Sequence, residues 1–167
     1  MCIRDSTHTH KPPTHANPAQ LLEFHVPRYL CRALFSHLFI FLNVHLFNQM
    51  LLRRECCSFS NGEYVNTGLA RLHAWVQGAE PSVVGDAWQD LRHLTQATGF
   101  LVLGKKGRVG LEEVTGEICP RLSIQQLFRI ATMYWDDKYN TESVSAEVRG
   151  HTPVSYTHLT LPTILRV

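Results

Sequence analysis

The stretch that decides the fold is Leu51-Leu52-Arg53-Arg54-Glu55-Cys56-Cys57-Ser58-Phe59-Ser60-Asn61-Gly62-Glu63-Tyr64-Val65. It ends one apolar segment, passes through a turn of small residues and begins another apolar segment. Ser60 and Glu63 have the S-x-x-E spacing of a capping box, in which two side chains satisfy free N–H groups at a helix N-terminus. The stretch therefore predicts a junction between two helices, and it contains no catalytic pattern.

Before this junction, residues 29–52 form a long apolar segment. Its apolar side chains recur at three- and four-residue spacings, which indicates a long buried helix. The segment is also long enough to cross a membrane. Polar and charged side chains interrupt it, however, and such groups are costly inside a bilayer. We therefore expect a core helix and no membrane span. The interrupting residues are Arg32, His37, Asn43, His45, Asn48 and Gln49.

Periodicity after the junction predicts two more long helices. The first covers residues 61–77 and is stopped by Gly78 and Pro81. The second begins near Asp86, a good N-cap residue, and ends at Gly104. Apolar side chains at helical spacing give each of these helices one face suited to burial.

The C-terminal part of the chain predicts shorter helices. Residues 111–118 form one of them. Ser123 and Gln126 then make a second capping box, ahead of a helix that runs into residues 133–139. Residues 143–148 add one or two helical turns. Because no segment alternates apolar and polar residues as a strand does, we expect an all-α fold, a helical bundle.

Both termini match a sequencing adapter rather than a folded domain. Residues 1–6 (MCIRDS) are what the transposase end of a common adapter encodes, and residues 154–163 (VSYTHLTLPT) are its reverse complement read in another frame. We therefore predict that residues 1–6 and 154–167 are translated adapter. Finding either segment encoded at the genomic locus would contradict this prediction.

The next segment inward, residues 7–23, has no apolar periodicity and is rich in His, Pro and Thr. It is expected to be a disordered linker or a translated intron. A metal site is disfavoured because no second ligand set with zinc-site spacing follows its histidines. The interpretable domain is residues 24–149, and residues 150–153 are left unassigned. The histidines concerned are His8, His10 and His15.

Charge and cysteine content exclude several classes of function. The chain has 16 Lys and Arg and 14 Asp and Glu, a formal net charge of +2. Such a near-neutral balance gives no electrostatic reason to expect nucleic acid as a partner. Adjacent Cys56 and Cys57 do not have the spacing of a C-x-x-C metal pair. We interpret the cysteines as packed thiols in a reducing, cytoplasmic compartment.

Enzyme signatures are missing from the sequence. It has no G-x-S-x-G, H-E-x-x-H or G-x-G-x-x-G motif. Asp136 and Asp137 lack a third ligand at usable spacing, so we interpret them as a polar helix end. Loop 104–110 lacks the spacing of a phosphate-binding loop and is expected to be a solvated basic loop. We predict no catalytic, cofactor or metal site.

Four blocks of the sequence, in order, resemble the dilute (DIL) domain in the globular tail of plant-type class XI myosins, which are related to class V myosins. The first runs from Val26-Pro27 to Asn43-Val44-His45-Leu46-Phe47-Asn48, and the second is the junction stretch, 51–65. The third is Gln96-Ala97-Thr98-Gly99-Phe100-Leu101-Val102, and the fourth runs from Cys119-Pro120 through Met133-Tyr134-Trp135-Asp136-Asp137-Lys138-Tyr139 to Ser143-Val144-Ser145. The second block and residues 133–139 are the most specific.

The resemblance implies the C-terminal part of a two-lobed, all-helical myosin tail, incomplete in this chain. It implies a binding role: recognition of organelle or vesicle receptors, or of Rab-type adaptors, for transport along actin. In that family the ATPase is the motor head and dimerisation belongs to an upstream coiled coil. The long first helix is expected to pack against tail helices that this chain lacks.

The resemblance also implies a regulatory contact, because related tails fold back onto their own motor head partly through basic residues. The candidates in this sequence are Lys105, Lys106 and Arg108. A second class of function is a non-motor scaffold, since dilute-type domains also occur in proteins of that kind. Upstream sequence discriminates between the two, through a motor head with IQ repeats and heptads or through scaffold modules.

Overall fold

The computed structural model describes residues 19–138 and 144–150. Within these ranges the chain forms helices and no strand, so the expected all-α fold class is confirmed. The adapter segments and most of the segment 7–23 lie outside the described residues. The α-helices in these ranges are α1 (Ala19–Glu23), α2 (Arg28–Leu52), α3 (Phe59–Gly78), α4 (Pro81–Val84), α5 (Arg92–Val102), α6 (Leu111–Glu113), α7 (Ile124–Met133) and α8 (Ala146–Gly150).

Short turns of other helix types complete these elements. Tight 3₁₀ turns at Arg54–Cys56 and Ala87–Leu91 precede α3 and α5, and a π-helical turn at Val114–Ile118 continues α6. Helix α4 was not predicted. Pro81, expected only to stop a helix, stands at the start of α4, where its missing N–H costs nothing.

The core is built around α2 and α5. Helix α2 packs on the turn Ala87–Leu91, on α4, on α5 and on α7, while α3 packs along α5. The largest fully buried apolar side chains are Phe39, Phe47, Leu51, Val83, Leu91, Leu94, Phe100, Leu101, Val114, Leu127 and Ile130. They come from α2, α4, α5, α7 and the turns between them, so a single apolar core holds the bundle together.

Helix α2 is buried on one side only, so the predicted long buried helix is covered in part, and its other side is open for the tail helices that it was expected to pack against. Its buried residues recur at about four-residue spacing and form one stripe: Cys31, Phe39, Asn43, Phe47, Met50 and Leu51. On the other side large apolar residues are uncovered, and Tyr29 and Phe41 are 70% and 62% exposed. By length and composition alone α2 is apolar enough to cross a membrane. That it does not cross one stays a prediction.

Two close contacts position α5 against α2 and α3 against α5. The Oδ1 atom of buried Asn43 accepts a hydrogen bond from the N–H of Leu94 at 2.9 Å. Leu94 lies in the first turn of α5, where helix N–H groups lack an intrahelical acceptor. At Gly62, α3 approaches α5 so closely that a Cβ atom would lie 2.6 Å from the Cβ of Leu101.

The two predicted capping boxes have different outcomes. Ser123 and Gln126 form the predicted box at the start of α7, with both reciprocal hydrogen bonds present. The box at Ser60 and Glu63 is wrong: α3 begins at Phe59, and Ser58 is the N-cap, whose hydroxyl accepts from the N–H of Asn61 at 3.2 Å. At the start of α5, Asp86 precedes the 3₁₀ turn and makes no side-chain cap.

The boundaries at the two ends also differ from expectation. Residues Ala19–Glu23, expected within the linker, form α1, and Leu21 and Leu22 pack against the core. Near the C-terminus, residues 144–150 include α8 and bury Val144 and Val148. Residues 139–143 of the predicted C-terminal segments lie outside the described residues.

Candidate partner-binding site

The two most specific stretches of the sequence pack against each other. The backbone N–H of Ser60 donates to Oδ1 of Asp137 at 3.0 Å, and Lys138 forms an ion pair with Glu63. The N–H of Trp135 donates to the carbonyl of Cys57 at 3.2 Å. The segment after α7 therefore fastens the first turn of α3, and we call this contact the junction clasp (residues 54–63 with 135–138).

Two side chains extend the junction clasp towards α2. The indole N–H of Trp135 donates to the carbonyl of Arg54 at 3.3 Å, and Nε of Arg129 donates to the carbonyl of Leu51 at 3.0 Å. Leu51 lies in the last turn of α2, where carbonyls lack intrahelical donors. The carbonyl of Arg54, in the 3₁₀ turn that follows, also accepts from the N–H of Cys57 at 2.9 Å. The clasp thus fixes the angle between α2 and α3.

The acidic pair before Lys138 serves this contact. Burial acts to raise the pKa of Asp137, but hydrogen bonds from Ser60 and Ser58 outweigh it and leave the pKa below its usual value. Asp136 accepts a hydrogen bond from the N–H of Lys138 at 2.9 Å. In the part of the chain that the structure describes, no group of three His, Cys, Asp or Glu side chains is placed to hold a metal ion.

The buried cysteines are packed thiols, as predicted. The thiol of Cys57 donates to the carbonyl of Met50 at 2.9 Å. Burial, with a smaller contribution from Cys56, raises the pKa of Cys57 to about 12, against the opposing effect of Arg129. Burial alone raises the pKa of Cys119 to about 12. A buried thiol with so high a pKa stays protonated at neutral pH and is a poor nucleophile.

The basic loop 104–110 is only partly solvated. Lys105 and Arg108 are exposed, but Lys106 is 1% exposed, which contradicts the expectation for that residue. Its Nζ atom donates to the carbonyl of Leu103 at 2.6 Å and to the hydroxyl of Tyr134 at 3.1 Å. The three candidate residues therefore do not present one continuous surface in this conformation.

Aromatic rings complete the surroundings of Lys106. Its Nζ lies 4.2 Å from the ring centre of Tyr134 and 5.6 Å from that of Phe59, both within the range of cation–π attraction. Burial lowers the pKa of Lys106 to about 8, and Asp136 opposes that shift. No signal in the sequence distinguishes Lys106 from Lys105, because a loop has no periodicity that assigns one side chain to the interior.

A groove of about 700 Å³ opens between α2 and α3. Its walls are mostly apolar, and Tyr64, which is 80% exposed, stands at its rim. The sequence did not single out this groove, because both helices contribute to it from their partly buried faces. Its lining includes Leu42, Leu46, Val65, Leu69, Leu72 and Arg71.

The fold and surface are those of an all-helical domain with an uncovered apolar helix face, an open groove and a basic loop. A model of the DIL domain family matches residues 33–138, and the chain belongs to that family. The matched range lies within the predicted domain, residues 24–149. The DIL domain is a non-catalytic region of myosin tails, and the motor head is not in this chain.

Similar proteins include three myosins of Arabidopsis thaliana. Myosin-5 is 60% identical over 124 residues, or 74% of this chain, and Myosin-11 is 57% identical over 124 residues, also 74%. Myosin-17 is 56% identical over 131 residues, or 78% of the chain. The chain spans 8% of the length of the first two relatives and 9% of the third.

Proposed function

We propose that the chain is the cargo-binding DIL domain of a plant-type class XI myosin, cytoplasmic and associated with actin. It recognises receptors on organelles or vesicles, or Rab-type adaptors, so that the motor carries them. The observation that carries this proposal is the similarity to plant myosins over most of the domain. The names of these relatives favour a motor over a non-motor scaffold. Residues 24–149 are the proposed domain. We also propose that residues 1–6 and 154–167 are translated sequencing adapter.

The groove between α2 and α3 is the proposed receptor site. It is apolar, open and bordered by an exposed tyrosine, Tyr64. Tyrosine is enriched among the residues that dominate protein interfaces, because it buries a large rigid ring and keeps a polar tip. The uncovered face of α2 is proposed to pack against other parts of the parent tail, since contiguous exposed apolar side chains mark contact surfaces.

Replacing Tyr64 by serine should weaken binding of the chain to plant vesicle membranes by roughly tenfold, because a groove-edge anchor is lost. Vesicle flotation at several protein concentrations measures this. Tyr29→Ser is the matched control, since Tyr29 is 70% exposed and lies far along α2 from the groove. Vesicles stripped with protease should lose binding of the unaltered chain. Equal binding by Tyr64→Ser and Tyr29→Ser, or binding to protease-stripped vesicles, would contradict the proposal that the groove binds a receptor.

A second contact, with the parent's own motor head, is proposed for Lys105, Lys106 and Arg108. Reversing the two exposed charges, Lys105→Glu with Arg108→Glu, should weaken inhibition of the head by the added chain about tenfold at low salt. The actin-activated ATPase of the head reports the inhibition. Arg92→Glu with Arg71→Glu makes the same charge change elsewhere. Identical inhibition by the loop variant and the unaltered chain would refute the contact.

A further inference from the structure

Lys106 lies where three parts of the fold meet. Its ammonium group contacts the carbonyl at the end of α5 and the ring and hydroxyl of Tyr134 at the end of α7. Phe59, at the start of α3, lies slightly further away. An ammonium ion buried in this way loses hydration that one carbonyl, one hydroxyl and two rings replace only in part. Burying Lys106 in its charged form therefore costs free energy.

The rest of loop 104–110 is held by packing of Val109 against the core and by hydrogen bonds from Ser145. The N–H of Ser145 donates to the carbonyl of Lys106 at 3.2 Å, and its hydroxyl donates to the carbonyl of Val109 at 3.1 Å. Within the loop, the N–H of Arg108 donates to the carbonyl of Lys105 at 3.1 Å. This internal turn would survive if the loop moved as a unit, whereas the contacts of Lys106 would not.

We propose that loop 104–110 has two states: a closed state that buries Lys106, and an open state that presents Lys106 with Lys105 and Arg108 to an acidic protein surface. The buried ammonium supplies the reason to open, because water or a carboxylate would solvate it better. The acidic-partner half of this inference rests on the proposed head contact. Three cations are fewer than the clusters that bind anionic membranes, so an acidic protein is the favoured partner.

The equilibrium between the two states should depend on pH. Lys106 has a pKa of about 8 when closed and an ordinary value of 10.5 when solvated. The open state therefore binds the proton more tightly, and opening is favoured as pH falls. Between about pH 7 and pH 9 the opening constant should decrease roughly tenfold with rising pH. As the pH rises to about 10.5, the pKa of the solvated lysine, the closed state becomes progressively more stable relative to the open state.

Other charged groups lie near Lys106, and their contribution to the pH dependence is distinguished from that of Lys106 by comparing variants. Asp136 acts on it from the segment after α7, and Lys138, paired with Glu63, lies 5.3 Å from the ring centre of Phe59. From α8, Glu147 approaches the loop at Gly110, while Lys105 and Arg108 belong to the loop itself. These groups are the same in Lys106→Met, which removes the buried charge together with its hydrogen bonds to Leu103 and Tyr134.

Rapid-mixing hydrogen exchange of the loop amides in the 167-residue chain tests whether the loop has a closed and an open state. After correction for intrinsic exchange, the unaltered chain and Lys105→Met should show the tenfold decrease between about pH 7 and pH 9, and Lys106→Met no decrease. Tyr134→Phe should open about fivefold more readily near pH 7 and should show a steeper decrease towards pH 9, because the lost hydrogen bond stabilises mainly the charged lysine of the closed state. A flat profile in the unaltered chain, or an unchanged slope in Lys106→Met, would overturn it.

Binding of a fluorescent octaglutamate peptide tests the acidic-partner half. Lys106→Met and Lys105→Met should each weaken binding about fivefold, whereas a loop that stays closed predicts no effect of the buried residue. Equal peptide binding by Lys106→Met and the unaltered chain, or binding only to phosphatidylserine vesicles, would overturn this half. If the pH effect is present and the peptide does not bind, the proposed head contact fails and the two-state loop stands.

Discussion

Replacing Gly62 by valine is expected to lower the free energy of unfolding by about 3 kcal/mol, because α3 and α5 touch at this residue. A Cβ here would lie 2.6 Å from the Cβ of Leu101 and 3.3 Å from a methyl of Val102. Leu101 is fully buried, and its Cβ moves only with the backbone of α5. The helices must therefore separate to admit the new side chain. Urea unfolding followed by far-UV circular dichroism measures the change.

Gly68→Val is the matched control for this prediction. Gly68 lies in the same helix, and no atom lies within 4 Å of the position a Cβ would take. The change in helix propensity is the same at both positions, so the control isolates the helix–helix contact. Its free energy of unfolding should change by no more than about 0.5 kcal/mol. Similar losses in the two variants would mean that α3 and α5 are further apart than described.

Replacing Asn43 by leucine is expected to lower the free energy of unfolding by about 2 kcal/mol. The leucine side chain is apolar and suits a core, yet it removes the oxygen that accepts from the N–H of Leu94. The N–H of Leu94 then stays buried in the first turn of α5 without an acceptor. It has lost its hydrogen bond to water on folding, and no hydrogen bond within the protein replaces it. The same urea titration measures the effect.

The control for Asn43 is Asn66→Leu. Asn66 is exposed on α3, so the same exchange of amide for isobutyl should shift the free energy of unfolding by less than about 0.5 kcal/mol. A stabilised Asn43→Leu variant would show that packing of the larger side chain outweighs the lost hydrogen bond. Apolar packing, and not the hydrogen bond, would then be the main source of stability in the contact between α2 and α5.

Local signals predicted those parts of the fold that local forces determine. The apolar spacing of residues 29–52 predicted α2 closely, because a long periodic segment has few other ways to bury its side chains. The second capping box predicted the start of α7 because its bonds join residues three apart. Which face of α2 is covered depends on its neighbours, and the series Leu30, Leu34 and Leu38 proved to be on the uncovered side.

Where distant residues compete with local ones, the sequence prediction was wrong. Ser60 has the spacing of a cap, but its N–H is bound by Asp137, and the helix begins two residues earlier with Ser58 as the cap. Lys106 is polar within a glycine-rich loop and was expected in water. Tyr134, far along the chain, supplies the ring and hydroxyl that hold it inside. Neither partner can be recognised from the neighbouring residues.

The junction clasp also has a consequence for the order of events during synthesis. The donor at Ser60 and its acceptor at Asp137 are 77 residues apart, and the indole of Trp135 lies 81 residues from its acceptor at Arg54. At ribosomal rates of roughly 5–20 residues per second, the first turn of α3 waits about 4 to 15 s for these groups. Throughout that interval the nascent chain exposes an unfinished helix start beside the apolar face of α2. Chaperone demand should therefore be greatest before Asp137 emerges from the ribosome.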